Sequence, residues 1–178
     1  LSAFYFDIRK DALYCDSKDS DRRRSSIIVL NIILESLIKW FAPILSFTTE
    51  EIYRLIDKDK KSIHLENFME FPKMFENINL NKKWLELKKI RDICNVSIEA
   101  KRTAKEIGSS LESNLIISLN KDLYEISNQV DFAELCITSS ATVTKSTSEE
   151  VMVETKKATG NKCPVCWKIT QDKCARHS

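Results

Sequence analysis

Apolar residues recur at helical spacing through the first two thirds of the chain. Phe4, Ile8 and Leu13 fit the end of an amphipathic helix whose pattern begins before residue 1, as in a piece of something longer. Residues 16–21 are polar and predict a loop. Ile27, Leu30, Ile33, Leu34, Leu37, Ile38 and Phe41 then predict a long helix, which Pro43 ends or kinks. Thr48 and Glu51 have the spacing of a capping box, with Thr48 as N-cap, ahead of a short helix through Ile52, Leu55 and Ile56. Residues 57–80, with Pro72, read as a connection. Trp84, Leu87, Ile90, Cys94 and Ile98 form the next stripe and are expected in a core; Gly108 is placed to close that helix in a left-handed conformation. Beyond it the period shortens. Residues 114–119, 133–138 and 151–154 are β-prone, 121–127 suits a short helix, and the Ser/Thr-rich stretch 138–150 predicts a flexible loop or hairpin connection. The expected fold is mainly α: a helical bundle over 1–109, then a small α+β unit over 110–158.

Composition removes several alternatives. Two glycines and three prolines in 178 residues are too few for an all-β sandwich, and neither phosphate-loop glycine pattern can be written. The most apolar run, 26–46, is interrupted by Asn31, Glu35 and Lys39, so no membrane span is expected. The first residues lack the basic region and cleavage site of a signal peptide. The net charge of +2 hides strong segregation: residues 81–109 carry net +4, 110–155 net −6 and 156–178 net +5. Two basic zones suit a polyanionic partner, and solvated helix faces would give the same pattern.

The cysteines divide into two groups. Cys15, Cys94 and Cys136 are far apart among apolar residues, as buried reduced cysteines are, which suggests an intracellular setting. Cys163, Cys166, Cys174 and His177 form Cys-x2-Cys, a gap of seven and Cys-x2-His over residues 159–178. Two such pairs can close a tetrahedron around Zn²⁺, with no open position, so the expected site is structural. The bland alternative is three free cysteines at a frayed end. The other histidine, His64, has no ligand partners nearby and reads as a structural loop residue. No acid/base pair or nucleophile–histidine pair is visible. Trp167 follows the second cysteine and is expected to be half exposed, packing over the metal loop or stacking on a base.

Four blocks in order resemble bacterial isoleucyl-tRNA synthetase. They are Leu1-Ser2-Ala3-Phe4-Tyr5-Phe6-Asp7 with Lys10-Asp11 and Leu13-Tyr14-Cys15; Trp40-Phe41-Ala42-Pro43 through Glu51; Glu99-Ala100-Lys101-Arg102 through Gly108-Ser109-Ser110-Leu111-Glu112; and Gly160 through Trp167. The resemblance implies an anticodon-binding helical domain followed by a C-terminal zinc finger. The family's second ligand pair is typically Cys-x2-Cys after a longer gap, so His177 is a departure. Valyl-tRNA synthetase shares the helical blocks but usually ends in a coiled coil.

That resemblance implies a cytoplasmic, monomeric ligase that joins isoleucine to tRNA(Ile) with ATP. Its catalytic signatures, and hence the ATP site, are absent from this sequence, as is an editing domain. The chain alone is expected to be inactive and to hold the tRNA, working with the catalytic and editing domains of the same protein. Candidate tRNA contacts are Arg22, Arg23, Arg24, Lys101, Arg102, Lys105, Lys162, Trp167, Lys168 and Arg176. Two other classes compete: a zinc-stabilised helical adaptor for protein partners, and a DNA-glycosylase tail, which also ends in such a finger.

Overall fold

The computed structural model describes residues 2–56, 59 and 61–177. Leu1 and Ser178 lie outside the described residues, as do positions 57, 58 and 60 of the expected connection. The chain divides into two compact units: Leu1–Asp11 with Asn77–Ser178, and Ala12–Glu76. The boundary falls inside the first α-helix, α1 (Asp7–Cys15), which continues a π-helical turn over Ser2–Phe6.

In the Ala12–Glu76 unit, α2 (Asp21–Phe41) packs with α3 (Ser46–Ile56) and a 3-10 turn at Ile63–Leu65. Ser20 caps α2 by accepting the Arg23 N–H. Phe41 is the last residue of α2, two before Pro43, where the ring forbids continuation. The core is small: Ile38, Ala42, Tyr53 and Ile63, with Ile52 against it. Most of the stripe predicted on α2 is not core. Ser26, Ser36 and Ile38 are its buried residues, while Ile27, Leu34 and Phe41 stay exposed. The helix is apolar on several faces, so periodicity there cannot say which face is covered. Thr48 is not an N-cap. The helix begins two residues earlier, at Ser46, and Thr49 donates its hydroxyl to the Leu45 carbonyl. His64 is a surface residue of the 63–65 turn, with Nε2 3.3 Å from the Ser46 carbonyl.

Glu50 holds that turn. Its carboxylate accepts from Arg54 Nε (2.7 Å), the Ser62 hydroxyl (2.8 Å) and the Ile63 N–H (2.9 Å). The Arg54 bond first, then those from Ile63 and Ser62, lower its pKa from an ordinary 4.5 to about 2. The native state therefore binds this proton less readily than the unfolded chain. Glu50 contributes stability in full above about pH 4.5, and the contribution is lost as pH falls through 2. Glu50→Gln is expected to lower the stability of this unit near neutral pH and to flatten its acid dependence between pH 4.5 and 2. Tyrosine fluorescence melts at stepped pH would check it; parallel acid profiles for both proteins would refute it.

The other unit is built on α4 (Ile78–Thr103), capped by the Asn77 side chain on the Leu80 N–H. Leu87, Ile90, Cys94 and Ile98 are its buried residues, as the stripe predicts. They join Ile8, Ile107 and the inner face of a three-stranded sheet. Trp84 packs at the edge of this core, edge-on to Phe4 at 6.2 Å. The sheet has order β2-β1-β3, with β1 (Ser113–Leu119), β2 (Ser140–Lys145) parallel to it and β3 (Met152–Lys157) antiparallel. Strict alternation buries Ser113, Leu115, Ile117 and Leu119 of β1. The parallel crossover runs through α5 (Lys121–Ser127) and the one-turn α6 (Phe132–Leu135).

Three local readings are corrected here. Gly108 does not close α4. Lys105 takes the left-handed position at φ 58°, with Lys105 N–H on the Arg102 carbonyl and Glu106 N–H on that of Lys101, the paired bonds of a Schellman turn. Gly108 instead gives its N–H to Glu112. Residues 133–138 are not a strand: Asp131 caps α6 through the N–H groups of Ala133 and Glu134, and Ile137 closes a second Schellman turn at φ 56°. The strand lies a few residues later, in β2, where a loop or hairpin connection is expected. Cys94 and Cys136 are buried; Cys15 is half-buried. The Cys94 contact and burial push the Cys136 thiol up, so that buried sulfur stays protonated.

Candidate metal centre and basic surfaces

Residues 159–177 fold back on β4 (Asn161–Lys162) and β5 (Ile169–Thr170), a two-stranded antiparallel ladder. Gly160 makes this possible. It sits at φ 129°, and a Cβ there would lie 2.3 Å from the Thr170 carbonyl oxygen, so no side chain fits. The tip between the strands holds Cys163 and Cys166, both buried; the segment after β5 brings Cys174 and His177.

The four ligand atoms lie within 4.8 Å of one another. Cys166 Sγ is 3.8 Å from Cys174 Sγ, and His177 Nδ1 is 3.4 Å from Cys163 Sγ and 3.3 Å from Cys174 Sγ. A tetrahedral Zn²⁺ with ordinary bond lengths needs S···S of about 3.8 Å and S···N of about 3.5 Å. The three close separations match those values, and the four donors together form a Cys3His cluster that could hold a metal ion. The thiols are also prepared unequally. N–H groups of Cys166 and then Val165 hold the Cys163 thiol at about 6. The Arg176 N–H lowers that of Cys174, and burial raises that of Cys166. Backbone N–H groups are thus the largest influence favouring the thiolate form at Cys163 and Cys174, with smaller help from the neighbouring Cys166 and His177 side chains.

The basic candidates are dispersed. Arg22 forks onto Asp16 at 2.7 and 2.8 Å, Arg23 donates to the Asp16 carbonyl, and Arg24 pairs with Asp19. Lys101 pairs with Glu106 and Arg102 with Glu99. Lys162 is 3.9 Å from Glu112. Lys168 is half-buried and its carbonyl accepts the Cys163 N–H. Trp167 is 60% exposed, with φ 63°. Lys105 and Lys157 line an open concavity of about 540 Å³ beyond the end of α4, beside Arg102. Lys157 falls in the basic zone seen in the sequence, but only the β1–β3 register places it beside Ser113 and hence near the α4 terminus.

Residues 1–118 match the anticodon-binding domain of tRNA ligases, and the chain belongs to that family. The chain is 72% identical over its whole length to an isoleucine–tRNA ligase of Pelagibacter ubique. Over 97% of its length it is 42% identical to the isoleucine–tRNA ligase of Agrobacterium fabrum, and over 96% it is 42% identical to that of Methylacidiphilum infernorum. It spans about a fifth of the length of these relatives: 20%, 19% and 18%. Among the described residues no helix is long and apolar enough to cross a membrane.

Proposed function

We propose that this chain is the part of an isoleucine–tRNA ligase that holds tRNA(Ile) at its anticodon, in the cytoplasm. Amino-acid activation with ATP and transfer would belong to the other four-fifths of the ligase. The observation that carries this reading is the anticodon-binding match over 1–118 in a chain 72% identical to such a ligase throughout. The remainder of the ligase is also the expected neighbour of the Ala12–Glu76 unit. Trp40, Ile44, Phe47 and Leu55 are more than half exposed there, more apolar surface than a free domain carries comfortably.

Within the chain, Zn²⁺ would be held by Cys163, Cys166, Cys174 and His177. When bound, it supplies charge and a tetrahedral cross-link, with no free position for substrate. Lysines and arginines would position the phosphate backbone, and specificity would come from unstacked anticodon bases. Lys105 and Lys157 suit the first task best: among the described residues no carboxylate is paired with either, and both line the concavity at the end of α4. Trp167 offers an exposed face for the second.

Binding of tRNA(Ile), of the same tRNA with an exchanged anticodon, and of tRNA(Val) by fluorescence anisotropy tests the reading. The expected order places tRNA(Ile) first. Its affinity should fall more than tenfold between 50 and 200 mM salt, as several phosphate contacts require. Equal affinity for tRNA(Val) would favour the valyl relative. Absence of binding at 50 mM would leave the protein adaptor.

A further inference from the structure

We propose that Arg176 is a positioning residue of the metal centre, tying metal occupancy to the seating of the C-terminal segment on α1; the proposal rests on the metal reading given above. Arg176 stands between two candidate ligands, Cys174 and His177. Its guanidinium grips Asp11 with two parallel bonds, NH1 to Oδ2 at 2.8 Å and NH2 to Oδ1 at 2.9 Å. The same side chain is within hydrogen-bonding reach of the Cys166 sulfur, and the Arg176 N–H donates to that of Cys174. One residue therefore touches two candidate ligands and a carboxylate 165 positions away in sequence.

The geometry makes the two events interdependent. An ion that fixes Cys174 and His177 also fixes the backbone between them, which is what aims the guanidinium at Asp11. Conversely, a gripped Arg176 restrains the turn between those ligands and so lowers the cost of bringing them together on an ion. Bidentate pairing is directional, so the coupling needs the fork and not merely the charge. Outer-shell partners of this kind commonly change metal affinity by about 10–100-fold. A separate tether secures the other side of the segment: Ile169 N–H donates to Ser139 Oγ (2.6 Å), which donates to the Leu111 carbonyl. Arg176 is thus not needed to keep the segment attached. It holds the turn that carries the last two ligands. The guanidinium is directed onto Asp11 by two bonds, which distinguishes Arg176 from Lys105 and Lys157.

The test is zinc release from the zinc-loaded chain into excess chromogenic chelator, for wild type, Asp11→Asn, Arg176→Gln, Arg176→Lys and the Asp11→Asn/Arg176→Gln double variant. Asp11→Asn lies far from every ligand in sequence, yet release should be about tenfold faster. Arg176→Gln should match it, and the double variant should be no faster than either, because both remove one bridge. Arg176→Lys should recover only part of the loss. Reciprocally, chelation should speed amide exchange in α1 of wild type and not of Asp11→Asn. Wild-type release rates in Asp11→Asn, or single effects that add in the double variant, would overturn the bridge. If Asp11→Asn does not fold, Arg176→Lys decides: release at the wild-type rate would sink the requirement for a fork. Wild type that takes up no zinc at all would overturn the metal reading itself, a result distinct from any of these.

Discussion

Cys163→Ser is expected to abolish stoichiometric zinc binding and to unfold residues 159–177, while the core around α4 and its sheet persists. The segment is short, and its two-residue strands cannot support it: β4 and β5 pair at only two positions. Its buried residues are chiefly the ligands themselves, Cys163 and Cys166. On the proposed metal reading, much of its order would come from metal–ligand bonds, which for structural zinc sites amount to about 10–16 kcal/mol near neutral pH. Cys163 is one of the two buried ligands at the tip between β4 and β5, so its loss removes a donor from the interior of the segment. Serine keeps the shape but not the thiolate. Elemental analysis should give one zinc per wild-type chain and none for the variant after dialysis against a weak chelator. Limited proteolysis should then cut the variant after about residue 158. One zinc retained in Cys163→Ser, or none in freshly reduced wild type, would refute the prediction.

What the sequence disclosed follows from how locally each feature is encoded. The α4 stripe is legible because its apolar residues recur within a few positions of one another along one helix. The four candidate ligands were legible because each pair is spaced by its own turn. The α6 turn is hidden because the β-branched Ile137 and Thr138 just beyond it outweigh a single Asp cap in composition. β2 was missed because Ser and Thr look like loop residues; they form a strand there because Leu115 and Ile117 of β1 offer the register. On α2, abundance of apolar residues concealed the covered face. The Arg176–Asp11 contact spans nearly the whole chain, so no local pattern could have announced it.

Leu87→Ala should destabilise the unit that contains α4 by about 3 kcal/mol, within the 2–5 kcal/mol usual for a buried leucine. Leu87 is fully buried, as are its stripe neighbour Ile90 and, opposite, Leu115 and Ile117 of β1. Truncation loses the transfer free energy of three carbons and leaves a void lined by a helix and a sheet, neither of which can move inward independently. Ser97 Oγ bonds Thr155 Oγ1 at 2.7 Å and Arg91 Nε bonds the Leu135 carbonyl at 2.9 Å, so α4 is pinned to β3 and α6 on either side of the cavity. Collapse is therefore restricted, and the cost should not fall to the lower limit. Val96 on the same helix is 72% exposed, and Val96→Ala should change stability by no more than about 0.5 kcal/mol. Urea unfolding followed by Trp84 fluorescence would measure both, since Trp84 packs at the edge of this core and reports on its loss. Equal, small effects for the two variants would mean that α4 is not the centre of the unit. A large loss confined to Leu87→Ala, with zinc content unchanged, would show that the core folds independently of the metal segment.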